Sequence, residues 1–182
     1  MALIDKRLSE LKLSREVVDV YRDRISEESL TGVVADFNDE FLYMSLLTDD
    51  GENNGISVFF RHYITRIRTG GNIRSSINEL GKFRATELKL PNINLTSIDT
   101  VLSSIQSQYG YVNLHTEDMD DDICFIGEIT DQDEKWVSLL GYGTMTTRDT
   151  NNILLEKEEI SRVDAGAKYE ESIKFLATKA DR

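Results

Sequence analysis

The chain has 182 residues, 40% hydrophobic and 30% charged, with one Pro and 11 Gly. This composition excludes disordered, collagen-like and disulfide-stapled classes. A single cysteine, Cys124, excludes an intrachain disulfide and a cysteine-based zinc site. No stretch reaches the apolar length of a membrane helix, and Met1-Ala2-Leu3-Ile4-Asp5-Lys6-Arg7 turns charged too early for a signal peptide. The expectation is a cytoplasmic protein of a reducing compartment, with no membrane association.

The net charge of -12 is unevenly spread. Residues 1–90 hold 13 Lys and Arg against 15 Asp and Glu, whereas residues 91–182 hold 8 against 18, so the second half carries most of the excess. Within the first half, residues 61–89 hold seven basic residues and only Glu79 and Glu87 to oppose them. Such a chain repels a polyanion at long range and attracts a basic partner.

In chain order, Ile4, Leu8 and Leu11 share one face of an N-terminal helix. Val17–Ile25 reads as a strand, with a short helix as the alternative, and Leu30–Asp36 reads as a second strand. Asn38-Asp39-Glu40 is a tight turn into a strand at Phe41–Leu47, and a Gly- and Asn-rich loop follows. Two short strands, Ile56–Phe60 and Tyr63–Ile67, then precede a helix over Asn72–Leu80 with Ile73, Ile77 and Leu80 on one face. Residues 83–95, containing Pro91, form the expected linker. Thr96-Ser97-Ile98-Asp99 has capping-box spacing, and Ile98, Val101, Leu102 and Ile105 form a helical stripe behind it. Strands are predicted at Tyr109–Leu114, Ile123–Asp131, Trp136–Leu140, Ile153–Leu155 and Glu159–Val163, and a last helix at Lys168–Leu176.

The two halves match. Residues 64–80 align with 160–176 through Ile64/Ile160, Arg66/Arg162, Gly70/Gly166, Ser76/Ser172, Ile77/Ile173 and Leu80/Leu176. Gly32 pairs with Gly127 and Phe41 with Trp136, and both aromatics are expected in the core. The predicted fold is α+β: two tandem copies of a small curled antiparallel sheet or barrel, each closed by a C-terminal helix. The first copy spans residues 1–82 and the second 96–182.

Gly32-x-Val34-x-x-Phe37-Asn38-x-x-Phe41 resembles the first motif of Sm-like small barrels, and Ile67-Arg68-Thr69-Gly70-Gly71 resembles the second. The resemblance implies a small barrel and places Arg68 at a position that in that family helps to hold an RNA base. Leu42 stands where the family has its base-binding Asn, and the second copy has Asp164 opposite Arg68. The chain also resembles uncharacterised bacterial proteins of unknown function through Phe125-Ile126-Gly127, Ile129, Trp136, Val137, Leu139, Ile160, Val163 and Tyr169.

Neither His62 nor His115 has a second ligand at metal or triad spacing, and Cys124 reads as a buried inert thiol without a basic partner. Tyr109 and Tyr111 read as packing residues on one strand face. Gly141-Tyr142-Gly143 and Thr69-Gly70-Gly71 are too short for phosphate loops, so no cofactor and no metal is expected. No nucleophile, base and oxyanion donor can be grouped, which predicts a protein that is not an enzyme. Two sets of residues stand out as candidate binding groups. Arg61, Arg66, Arg68 and Arg74 would take an anion or an acidic partner surface, in the second copy or in a second subunit. Glu117, Asp118, Asp120, Asp121 and Asp122 would take a basic partner. The expected function is a non-catalytic protein-interaction module, regulatory or antidote-like, whose partner is a protein or a second copy of itself. The alternative is an RNA-binding protein using the basic edge of the first copy.

Overall fold

The structure is a computed structural model and describes residues 2–179. The outer ends of the ranges expected for the two copies, residue 1 and residues 180–182, lie outside the described residues. The chain divides into two compact units, Met1–Leu90 and Pro91–Arg182.

Unit 1 opens with helix α1, Leu3–Ser14, which ends on Arg15 in the left-handed region (φ 54°). Strands β1 (Val18–Tyr21), β2 (Ser29–Phe37), β3 (Phe41–Leu47) and β4 (Asn53–Phe60) follow. After one 3-10 turn at Arg61–Tyr63 come β5 (Arg66–Thr69) and helix α2 (Asn72–Phe83). The antiparallel order is β5-β1-β2-β3-β4. Leu8 and Leu11 of α1 pack with Val18, Val20, Leu30, Val34, Leu42, Met44, Leu46 and Phe59. A second cluster joins Val17, Val33, Leu47 and Ile77 of α2, with Leu88 against them. Helices therefore cover both faces of the sheet, which explains why every residue of β3 is buried where a one-sided sheet would alternate.

Unit 2 has the same element order. Helix α3 (Ile98–Tyr109) precedes β6 (Val112–His115), β7 (Cys124–Gln132), β8 (Trp136–Tyr142) and β9 (Thr150–Glu156). A 3-10 turn at Lys157–Glu159 leads to β10 (Arg162–Ala165) and helix α4 (Lys168–Lys179). The order is β10-β6-β7-β8-β9. Helix α3 packs on β6, β7 and β10, and α4 packs on β7 and β8. In both units a glycine, Gly32 or Gly127, lies so close to the neighbouring strand's carbonyl that a Cβ would collide with it. Each sits just before a bulge, at Val34/Asp36 and at Ile129/Asp131, where the strand bends.

The α+β class holds, but the expectation of two tandem small barrels is corrected. Among the described residues β5 does not pair with β4, and β10 does not pair with β9, so neither sheet is closed. Apolar periodicity reports only that a face is buried. A bent open sheet under a helix buries that face as completely as a barrel does. Several element ends also move. Tyr109 is the last residue of α3, with Gly110 as its left-handed cap, and not the start of a strand. The helix cap is Ser97, whose hydroxyl accepts from the Thr100 N–H at 3.3 Å, one residue later than expected. Phe41 is buried as expected, but Trp136 is only half-buried, with the Lys135 ammonium 5.6 Å from its ring centre. Of the stripe Ile73, Ile77 and Leu80, only Ile77 is buried.

Candidate functional site

The four candidate arginines do not form a free basic face. Arg61 bridges Asp5 at 2.6 Å, donates to the Asn38 carbonyl, and lies over the Phe37 ring. Its hydrogen bond holds the Asp5 carboxyl below the usual carboxylate range. Arg66 pairs with Asp23 at 2.8 Å and stacks 3.8 Å from the Tyr21 ring centre. Arg74 is buried and pairs with Asp19, which also accepts from the Thr31 hydroxyl at 2.9 Å. All three acids belong to unit 1. Arg61, Arg66 and Arg74 are thus each paired within their own unit. Arg68 is exposed and makes no ion pair among the described residues.

The acidic set also splits. Glu117 is buried, taking the Arg162 guanidinium at 3.2 Å and the Ser161 hydroxyl at 2.8 Å. Asp118, Asp120, Asp121 and Asp122 are exposed in the loop before β7. Carboxylate oxygens of Asp120, Asp121 and Asp122 lie within 4.8 Å of one another. That spacing concentrates negative charge on the exposed surface of the loop.

The strands of unit 2 assemble a polar cluster that none of these candidates anticipated. β6 pairs with β10, setting His115 beside Arg162 and Asn113 beside Asp164, and pairs with β7, setting His115 beside Cys124. Arg162 Nη2 lies 2.9 Å from His115 Nδ1, and His115 Nε2 lies 3.1 Å from Asp164 Oδ2. A guanidinium only donates, so Nδ1 accepts and the Nε2–H points to Asp164. Both imidazole nitrogens are thereby engaged. Cys124 is an exposed residue, which corrects the buried reading. Even so, desolvation around its sulfur, and then Glu170 and Asp164, push the thiol above its ordinary pKa.

Glu170, on the first turn of α4, is buried. Its carboxylate accepts from Asn113 Nδ2 at 2.8 Å and from the Ala167 N–H at 3.0 Å. Burial, and then the Asp164 carboxylate, raise its pKa to about 7 against the pull of those donors. Tyr111 donates to Glu171 at 2.9 Å and accepts from the Gly166 N–H at 2.9 Å; burial and then the Glu170 charge push its phenol upward. One signal for this cluster exists in the sequence. Polar and apolar residues alternate in Tyr111-Val112-Asn113-Leu114-His115 and in Arg162-Val163-Asp164, so the polar ones share a face.

No family model, no curated protein and no solved structure matches this chain. Among the described residues no helix is long and apolar enough to cross a membrane.

Proposed function

We propose that the protein is a non-catalytic interaction module built from two copies of one α+β unit, and that the exposed acidic surface of residues 91–182 takes a basic protein partner. The observation that carries this reading is the opposite use of charge in the two units. Arg61, Arg66 and Arg74 are spent on Asp5, Asp23 and Asp19, whereas Asp120, Asp121 and Asp122 crowd together on the surface. Like charges held together outside the core raise the free energy of the unbound surface, and a cationic partner relieves it. The absence of catalysis is supported by the engaged state of His115. With Arg162 on one nitrogen and Asp164 on the other, both His115 nitrogens already have partners, and desolvation around its sulfur raises the Cys124 thiol above its ordinary pKa.

The test is titration of the full chain with a short poly-lysine peptide and, separately, with a single-stranded RNA, each at several salt concentrations. Poly-lysine is expected to bind with a steep salt dependence that flattens when Asp118, Asp120, Asp121 and Asp122 are all changed to Asn. RNA is expected not to bind. An RNA complex that Arg68→Glu abolishes would replace this reading with the nucleic-acid one, because Arg68 is the exposed arginine of β5 that has no ion pair among the described residues.

A further inference from the structure

Unit 1 contains a cavity of about 580 Å³, and the counterpart of this space in unit 2 is occupied by unit 2's own side chains. Its floor is the apolar cluster of Val17, Val33, Leu47, Ile77 and Leu88. One wall is helix α2, which turns Ser75, Asn78 and Lys82 toward the opening. The other is the end of α1, Ser14 and Arg15. Gly70, at φ 66°, borders the cavity, and a Cβ built on it would meet nothing within 4 Å.

The matching space in unit 2 is occupied. Ser14 and Tyr109 are each the last residue of a helix, and each is followed by a left-handed cap, Arg15 or Gly110. Val17 and Tyr111 each directly precede the first strand of their unit. The small pair of unit 1 thus becomes two tyrosines in unit 2, with ring centres 6.4 Å apart. Gly166 is the counterpart of Gly70, and a Cβ on it would lie 2.6 Å from the Tyr109 ring. Lys174, the counterpart of Asn78, donates to the Tyr109 carbonyl and sits 5.3 Å from the Tyr111 ring centre. One backbone plan is therefore packed shut in one unit and left open over an apolar floor in the other.

The charges at the opening identify what fits. Lys82 is exposed and makes no ion pair among the described residues. Arg15 donates to the Val34 and Ala35 carbonyls, at 2.5 and 3.3 Å, and its charge meets no carboxylate among the described residues. It also occupies a left-handed cap position where unit 2 uses glycine, a conformation that costs a side-chain-bearing residue energy. Arg74 is neutralised by Asp19, while Glu16 is held by Arg7 at 3.6 Å and by the Gly70 N–H at 3.2 Å. Two uncompensated cations beside an apolar floor, in a chain of net charge -12, select an anion with an apolar tail. The volume lies within the range of about 300–1,000 Å³ typical of small-molecule sites.

We propose that this cavity in unit 1 is a binding site for a small amphipathic monocarboxylate, with the tail on Val17, Val33, Leu47, Ile77 and Leu88 and the carboxylate at Lys82 and Arg15. The proposal is independent of the acidic surface and its partner.

The experiment is titration of the full chain with decanoate, decanol and decyltrimethylammonium, each below its micelle concentration, followed by two-dimensional amide NMR. Decanoate is expected to give saturable one-to-one shifts centred on the cavity lining, with decanol at least about tenfold weaker and the cationic amphiphile without effect. Lys82→Glu changes an exposed helix position and leaves the fold intact; it is expected to weaken decanoate at least about tenfold and to spare decanol. Ser14→Tyr, which copies unit 2, is expected to abolish binding of both while the remaining spectrum keeps its native dispersion. The proposal is overturned if decanoate produces no saturable shifts, if decanol binds as tightly, if Lys82→Glu changes nothing, or if the shifts fall outside the lining residues.

Discussion

Arg74 stands on the first turn of α2 in unit 1, and Glu170 stands at the matching place on α4 in unit 2. Each faces the first strand of its own unit. Arg74 meets Asp19 of β1, and Glu170 meets Asn113 of β6. The strand opposite carries Arg68 in unit 1 and Asp164 in unit 2. Unit 1 therefore solves the burial of a polar contact by an ion pair. Unit 2 places two carboxylates near one another: Glu170 is met by the Asn113 amide, the Ala167 N–H and a proton, and Asp164 by His115 and Arg162. The same backbone tolerates both solutions: the strand register around these positions is the same in the two units. What changes is the response to pH and to mutation.

The comparison breaks most visibly at Asp19. Its partner Arg74 has a side chain only 8% exposed, so Asp19→Ala leaves a buried guanidinium without its counter-charge. The expected loss is about 3–5 kcal/mol, read as a lower urea midpoint at unchanged slope. Asn113→Ala, the matching change in unit 2, removes a neutral donor and costs less, about 1–3 kcal/mol. Equal losses at the two positions would show that the two centres are not held differently.

Phe41 and Trp136 offer a second contrast. Both follow a polar turn in which Asn38 or Asp133 accepts two backbone N–H groups, and both begin the third strand of their unit. Phe41 is 1% exposed, and Phe41→Ala is expected to cost about 3–5 kcal/mol in denaturant unfolding. Trp136 is only half-buried, so Trp136→Ala is expected to cost clearly less. Its fluorescence maximum is expected to lie to the red of a buried indole.

Glu170 gives unit 2 a pH dependence. Its carboxyl is raised from 4.5 to about 7 in the folded chain, so the folded state holds this proton more tightly than the unfolded state. The stabilisation is fully present below pH about 4.5 and is lost as pH rises through about 7, a fall on the order of 3 kcal/mol from this one group. Glu170→Gln keeps the neutral shape. It is expected to flatten unfolding free energy between these pH values and to stabilise the protein at pH 8. A variant that is less stable than the parent at pH 8 would mean that the ionised carboxylate is the form the fold prefers.

Much of this was legible in the sequence, and the reasons for the misses are specific. Phe41–Leu47 matches β3 to the residue, because a polar turn and a Gly-rich loop bracket it on both sides. The helix pair and the five strands of each unit, in their succession along the chain, follow from apolar spacing and turn residues, whereas their order in the sheet does not. The cap at Ser97 was displaced by one residue because Thr96 and Ser97 are both good caps and only the fold chooses between them. Tyr109 looked like strand because aromatic residues favour strands, yet Gly110 after it is a helix stop. Open and closed sheets share one periodicity, so closure was not readable. The His115, Arg162 and Asp164 cluster was hidden for a different reason. His115 lies on β6 and Arg162 and Asp164 on β10, with three strands between them in sequence, and the pairing of β6 with β10 leaves no local signal.

The smallest expected effect is at Arg66, and it sharpens the same comparison. Arg66 pairs with Asp23 beside Thr65, and its counterpart Arg162 pairs with Glu117 beside Ser161. The carboxylate contact corresponds, but its surroundings do not, and Arg162 meets Asp164 as well. The Arg66 side chain is 60% exposed and water competes for both partners, whereas Arg162 and Glu117 are 14% and 2% exposed. An exposed ion pair gains little because solvent screens it and two long side chains must be ordered to make it. Arg66→Ala is therefore expected to move the melting temperature by less than about 2 °C, with high salt narrowing the difference further. Arg162→Ala strips a guanidinium from Glu117, Asp164 and His115 together and is expected to lower the melting temperature several-fold more. Similar shifts for the two variants would mean that burial does not set the strength of this shared contact.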